Sequence, residues 1–205
     1  MIGILTGDIV GSRKAKSPEQ WLGPLKEYFG ELGTEPERWQ FFRGDSFQLE
    51  VTDVPHTIEV ALRIKALVKN IKGLDVRLAI GIGSKSYDAP RITEANGDAF
   101  VFSGKLFEKM KKKTLAIKTP WEDVDEQINV CLDLALLVMD KWSVSSAEVV
   151  QLAFTFPEAT QTERAKMLGI SQGRISDRQR RAGLDEILRM EEHFRKLINN
   201  KIEKE

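Results

Sequence analysis

Apolar positions in the first 118 residues switch between strand-like runs and helical spacing, whereas from residue 122 onward the helical spacing prevails. Residues 1–10 hold the branched Ile2 and Ile4 beside Leu5, a pattern that predicts a buried strand. Ser17-Pro18 is a helix-starting pair, and Trp21, Leu22, Leu25, Tyr28, Phe29 and Leu32 follow on one helical face. Two apolar stretches in 38–51 flank Arg43-Gly44-Asp45-Ser46 and predict a hairpin with Asp45 near its tip. A second helix is expected over 55–71, where Ile58, Leu62, Ala66 and Val68 make an apolar face. Residues 76–82 read as a strand, 85–96 as a polar loop, 97–112 as a helix and 114–118 as a short last strand.

The order β-α-β-β-α-β, then α-β, predicts an α+β fold: a ferredoxin-like, palm-type sheet with its helices on one face. Pro120 marks a change of composition. Residues 1–119 are expected to form the sheet domain and 120–142 a connecting helix with Val124, Ile128, Cys131, Leu132, Ala135, Leu136 and Met139 on its stripe. Residues 143–205 carry helical patterns and predict an all-α bundle.

Composition narrows the partners. Lys plus Arg and Asp plus Glu both number 31, so the chain as a whole is not an electrostatic nucleic-acid binder and local asymmetry has to be sought. The single cysteine, Cys131, excludes an internal disulfide and sits in an apolar helical pattern, as a structural thiol does. The apolar run of 130–139 is interrupted by Asp133 and is too short for a bilayer, and 1–10 lack the basic start of a signal peptide. A cytoplasmic protein with no membrane partner is expected. His56 and His193 stand in different expected domains with no ligand cluster around either.

Two short phrases hold the candidate chemistry. In 4–12 and 41–49 an aspartate beside a glycine, Gly7-Asp8 and Gly44-Asp45, stands at the edge of an apolar run. Such pairs are common turn dipeptides. Brought together, two strand-end carboxylates also make an oxygen-rich site for Mg²⁺ carrying a nucleotide, with glycine giving close access to the backbone.

The phrases Gly7-Asp8-Ile9-Val10-Gly11-Ser12, Arg43-Gly44-Asp45-Ser46-Phe47 and Val76-Arg77-Leu78-Ala79-Ile80-Gly81 occur in the order found in class III nucleotidyl cyclases. The resemblance covers roughly residues 1–118, and the second phrase is also similar to the signature hairpin of diguanylate cyclases. As a two-part chain the protein resembles the SatD family. The resemblance implies Asp8 and Asp45 as ligands of Mg²⁺ or Mn²⁺, and Gly11, Ser12, Arg13, Arg43 and Lys105 around a nucleotide ligand. It does not extend to catalysis. Phe41 stands where those cyclases place a base-reading lysine, and Val101 and Lys105 stand for an asparagine and an arginine. Ser46 replaces the acidic residue of the diguanylate signature. Valine donates no hydrogen bond and lysine lacks the guanidinium fork, so binding without cyclisation is expected.

Residues 162–176 read as helix, glycine turn, serine cap and second helix, with Gly169 at the turn and Ser171 at the cap. This resembles the helix-turn-helix of sigma-factor region four. Residues 160–183 hold six basic and two acidic side chains, a local excess of +4 inside a neutral chain. Gln172, Arg174, Ser176 and Arg178 are placed for base edges, and Arg180 and Arg181 for phosphates. The sequence therefore predicts a DNA-binding regulator, a homodimer, with a degenerate nucleotide-binding sheet domain. A metal-dependent nucleotidyl-transfer or nucleotide-hydrolysing enzyme, with the helical part used for targeting or dimerisation, is the alternative.

Overall fold

The computed structural model describes residues 1–204. Among them, strand β1 (Ile2–Val10) lies at the middle of a five-stranded sheet, between β3 (Ser46–Val51) and β4 (Asp75–Gly83), antiparallel to both. β2 (Trp39–Phe42) is the hairpin partner of β3 at one edge, and β5 (Leu115–Lys118) runs parallel to β4 at the other. The register sets Asp8 opposite Ser46 on one side and Arg77 on the other.

Side chains alternate across this sheet and divide its two faces. Leu5, Ile9, Phe47, Leu49, Leu78 and Ile80 join the main core, which α1 (Glu19–Leu32) and α2 (Thr57–Lys69) complete through Leu25, Phe29, Ile58 and Leu62. On the opposite face Ile4 packs with Ala99 and Phe100 of α3 (Asp98–Lys109), and Ala79 and Ala116 pack with Met110. The helices thus cover both faces, where the element order had predicted one. The physical reason lies in β4. A Cβ on Gly81 would stand 2.1 Å from the Ala99 carbonyl oxygen, and one on Gly83 2.8 Å from the Ala99 nitrogen. Bare backbone at these positions lets α3 lie directly against the strand, and the crossover to parallel β5 runs through it.

Helix α4 (Glu122–Met139) leads into α5 (Val144–Thr155), α6 (Gln161–Met167), α7 (Gln172–Ala182) and α8 (Leu184–Ile202). Its buried residues Val124, Ile128, Leu132, Leu136 and Met139 belong to the same apolar cluster as the sheet and as Val149, Val150, Ile175 and Phe194 of the later helices. The core is therefore continuous from sheet to bundle. Polar contacts tie the halves: Asn70, capping α2, donates to Gln151 of α5, and Arg195 of α8 meets His56, just before α2, at 3.2 Å, while Trp142 Nε1 joins the end of α4 to α7 through the Ala182 carbonyl at 2.9 Å. Lys65, fully buried, donates to Asp75 at 2.9 Å, Thr114 at 3.0 Å and Asp140 at 2.9 Å, joining α2, β4, the approach to β5 and the end of α4. Its ammonium has three donors, and all three are used.

Cys131 is half-buried on α4. Among the described residues, no helix is long and apolar enough to cross a membrane.

Candidate functional site

Asp8 stands two residues before the end of β1, on the α3 face, where it meets Arg77 of the neighbouring strand. Arg77 Nη2 donates to Asp8 Oδ2 at 2.7 Å and Nε donates to Oδ1 at 3.2 Å, a two-pronged pair. The guanidinium is fixed further by the Met110 carbonyl at 2.9 Å and by the ring of Phe107, whose centroid lies 4.2 Å away. Gly7, beside Asp8, serves packing: a Cβ there would stand 2.6 Å from the Phe47 ring and 2.8 Å from Leu78.

Asp45 belongs to a different surface. The hairpin loop between β2 and β3 takes Arg43 (φ 51°) and Gly44 (φ 87°) through the left-handed region, and Asp45 follows. The Asp45 carbonyl accepts from the Ile9 amide at 3.1 Å, and its carboxylate accepts from the Ser12 hydroxyl at 2.7 Å. Ser12, Arg13, Arg43 and Asp45 line an open cavity of about 380 Å³ against Pro18 and Trp21 on the α1 side. Four of the sequence-predicted site residues therefore converge. Gly11, with φ 80°, lies at the edge of a separate cleft and approaches the Gly73 carbonyl. Lys105 is an exposed position on α3. Phe41 is part of an aromatic cluster, stacked on Phe29 at 5.6 Å and tilted against Phe47 at 5.4 Å.

The carboxylates as they stand do not fit a two-aspartate metal site. Asp8 is neutralised by the Arg77 fork on the face covered by α3, while Asp45 opens beside α1. Among the described residues, no group of three or more His, Cys, Asp or Glu side chains is gathered for a metal. Arg77 was not anticipated from the sequence. Its signal was a lone cation inside the apolar run of β4, at an alternate position that a strand buries.

The C-terminal surface is built on two well-capped helices. Thr160 and Glu163 form a reciprocal box at the start of α6, the Thr160 amide donating to the Glu163 carboxylate at 2.7 Å. That bond, with the Thr160 hydroxyl, holds the Glu163 carboxyl below its ordinary pKa. Gly169 takes φ 62° between the helices, and the Ser171 hydroxyl accepts from the Arg174 amide to cap α7. Ala165 and Ile175 are buried where α6 and α7 cross.

The arginines of this segment have divided tasks. Arg164 donates to the carbonyls of Phe156 at 3.0 Å and Pro157 at 2.9 Å, and its partial burial lowers its pKa. Arg178 pairs with Glu148 of α5 at 2.6 Å, and Arg180 with Asp177 at 2.6 Å. Arg181 Nε donates to the Asp177 carbonyl. Gln172, Arg174 and Ser176 are exposed on the first turns of α7, and among the described residues no acidic side chain pairs with Arg174.

Residues 143–183, which span α5 to α7, match the family model of sigma-70 region 4, a helix-turn-helix DNA-binding domain. No curated protein and no solved structure matches the chain.

Proposed function

We propose that this protein is a DNA-binding regulator whose helix α7 reads base edges in the major groove through Gln172, Arg174 and Ser176. The observation that carries the reading is Arg174. It stands exposed and without an acidic partner on the opening turn of a helix whose entry is fixed by Gly169 and Ser171. Arg180 and Arg181, further along α7, reach toward phosphates from an exposed surface. Arg178 has a structural task as well, because it anchors α7 to α5 through Glu148.

The test is selection of bound sequences from random duplex DNA, followed by anisotropy titrations at fixed salt. An enriched motif is expected, and Arg174→Ala should lose about 1–3 kcal/mol of discrimination at one base pair. Failure to enrich any sequence would overturn the assignment.

A second reading concerns the sheet. The order β2-β3-β1-β4, with α1 and α2 on a common face, supports a palm-type, ferredoxin-like and nucleotidyl-cyclase-like reading. The SatD resemblance and a cytoplasmic setting belong to the same proposal. Convergence of Arg13, Arg43 and the Ser12 hydroxyl at one cavity supports a nucleotide-phosphate site there. Asp45 is the carboxylate at that cavity toward which Mg²⁺ or Mn²⁺ would be drawn. Thermal unfolding with ATP or GTP, with and without Mn²⁺, should show a ligand shift that Arg13→Ala with Arg43→Ala abolishes. An unchanged midpoint in wild-type protein removes this reading and leaves the DNA assignment standing.

A further inference from the structure

Helix α4 buries one side and leaves a second apolar side uncovered. Val124, Ile128, Leu132, Leu136 and Met139 face the core, while Val130 is 60 % exposed, Leu134 63 %, Leu137 63 % and Val138 38 %. At 100° per residue Val130, Leu134 and Leu137 fall within an arc of about 60°, with Val138 on its flank, so the four form one strip along the helix. A continuous apolar strip in water is unfavourable and marks a surface that another molecule covers.

The ends of the strip say what that molecule is. The first turn of α4 is acidic, and Asp123 and Asp125 are already held by Lys201 and Lys118. Glu126 and Lys141 are exposed, one before the strip and one after it, and among the described residues neither has an ionic partner. The strip is therefore apolar in the middle, negative at one end and positive at the other. Such a surface is self-complementary when turned end over end. An antiparallel copy, related by a two-fold axis close to Leu134, sets Val130 against Leu137 and Glu126 against Lys141, each contact occurring twice.

We propose that the exposed face of α4 is the interface between two copies of this chain, packed antiparallel about Leu134. Charge complementarity sets the direction, because a parallel pair brings Glu126 to Glu126 and Lys141 to Lys141.

Sedimentation velocity on the full chain tests this. Wild-type protein is expected to sediment as a dimer at concentrations up to about 100 µM, and Leu134→Glu as a monomer over the same range. Leu134 lies on the surface, so the variant should keep the wild-type circular dichroism spectrum. Glu126→Lys and Lys141→Glu should each weaken the dimer about tenfold, and together they should restore it. A monomeric wild type, or a Leu134→Glu variant that stays dimeric, overturns the interface. A charge-swapped pair that fails to restore the dimer overturns the antiparallel packing.

Discussion

Arg77 holds both carboxylate oxygens of Asp8 across the β4–β1 seam, with contacts of 2.7 Å and 3.2 Å, and both side chains are 26 % exposed. An aspartate so engaged is a structural anion: it answers a cation that β4 carries into a largely apolar face. Replacing Arg77 by Met is expected to cost about 2 kcal/mol, because it leaves the Asp8 charge partly desolvated and alone. The double variant Arg77→Met with Asp8→Ala should be closer to wild type than the sum of the single changes. Urea unfolding of the four proteins measures the coupling, and a coupling near zero would remove the pair from the account.

Lys65 makes a second prediction. Its ammonium is fully enclosed and bonded to Asp75, Thr114 and Asp140. Lys65→Met removes the cation and keeps most of the volume, leaving two carboxylates facing each other with Lys69 as the remaining counter-charge for Asp75. A loss of about 3 kcal/mol is expected. Because the network sits where α2 meets the end of α4, and the apolar core runs through both halves, unfolding should remain one transition. Calorimetry that resolves two separate transitions in wild-type protein would contradict that continuity.

Glu191 gives the pH prediction. It is 1 % exposed on α8, and burial raises its pKa above the ordinary carboxylate value against the opposing pull of Arg195 at 2.8 Å. Glu59 adds to the raise and His56 works against it. A carboxyl whose folded pKa is raised contributes stability in its protonated form. That contribution is complete below the unfolded pKa and is lost as pH rises through the folded value. Glu191→Gln mimics the protonated form. It should raise the unfolding midpoint by about 2–4 °C at pH 8 and leave it unchanged at pH 4. An equal shift at both values would mean that packing rather than charge is responsible.

Much of the fold was legible from periodicity. The strands, the hairpin around Arg43-Gly44 and the cap and turn at Ser171 and Gly169 all follow from local rules of alternation and backbone freedom, and the structure shows them. What the sequence concealed is long-range. Nothing within 97–112 says which face of the sheet its helix covers; that depends on Gly81 and Gly83 lying bare on another strand. The pairing of Asp8 with Arg77 spans 69 positions, so the carboxylate looked available until the strands were brought together. The same holds for Arg178 and Glu148, 30 positions apart, which turns one expected base-reading arginine toward its own protein. Local charge counts gave the sign of the surface, and tertiary pairing decided which charges are left to use.

Helix α3, resting on the bare stretch of β4, acts as a ceiling over a sheet that already has α1 and α2 as its floor. Over β1, β4 and β5 it leaves no open strand surface for a purine or a sugar, while the β2–β3 hairpin keeps an open hollow of its own beside Gln40 and Gln48. The cavity at Ser12 and Asp45 therefore lies at the rim, where β1 and the hairpin end and the Ser12–Asp45 bond forms the sill. Its outer lip is the short loop that carries Arg43 in its left-handed conformation, while the glycines of a distant strand let α3 close the neighbouring face.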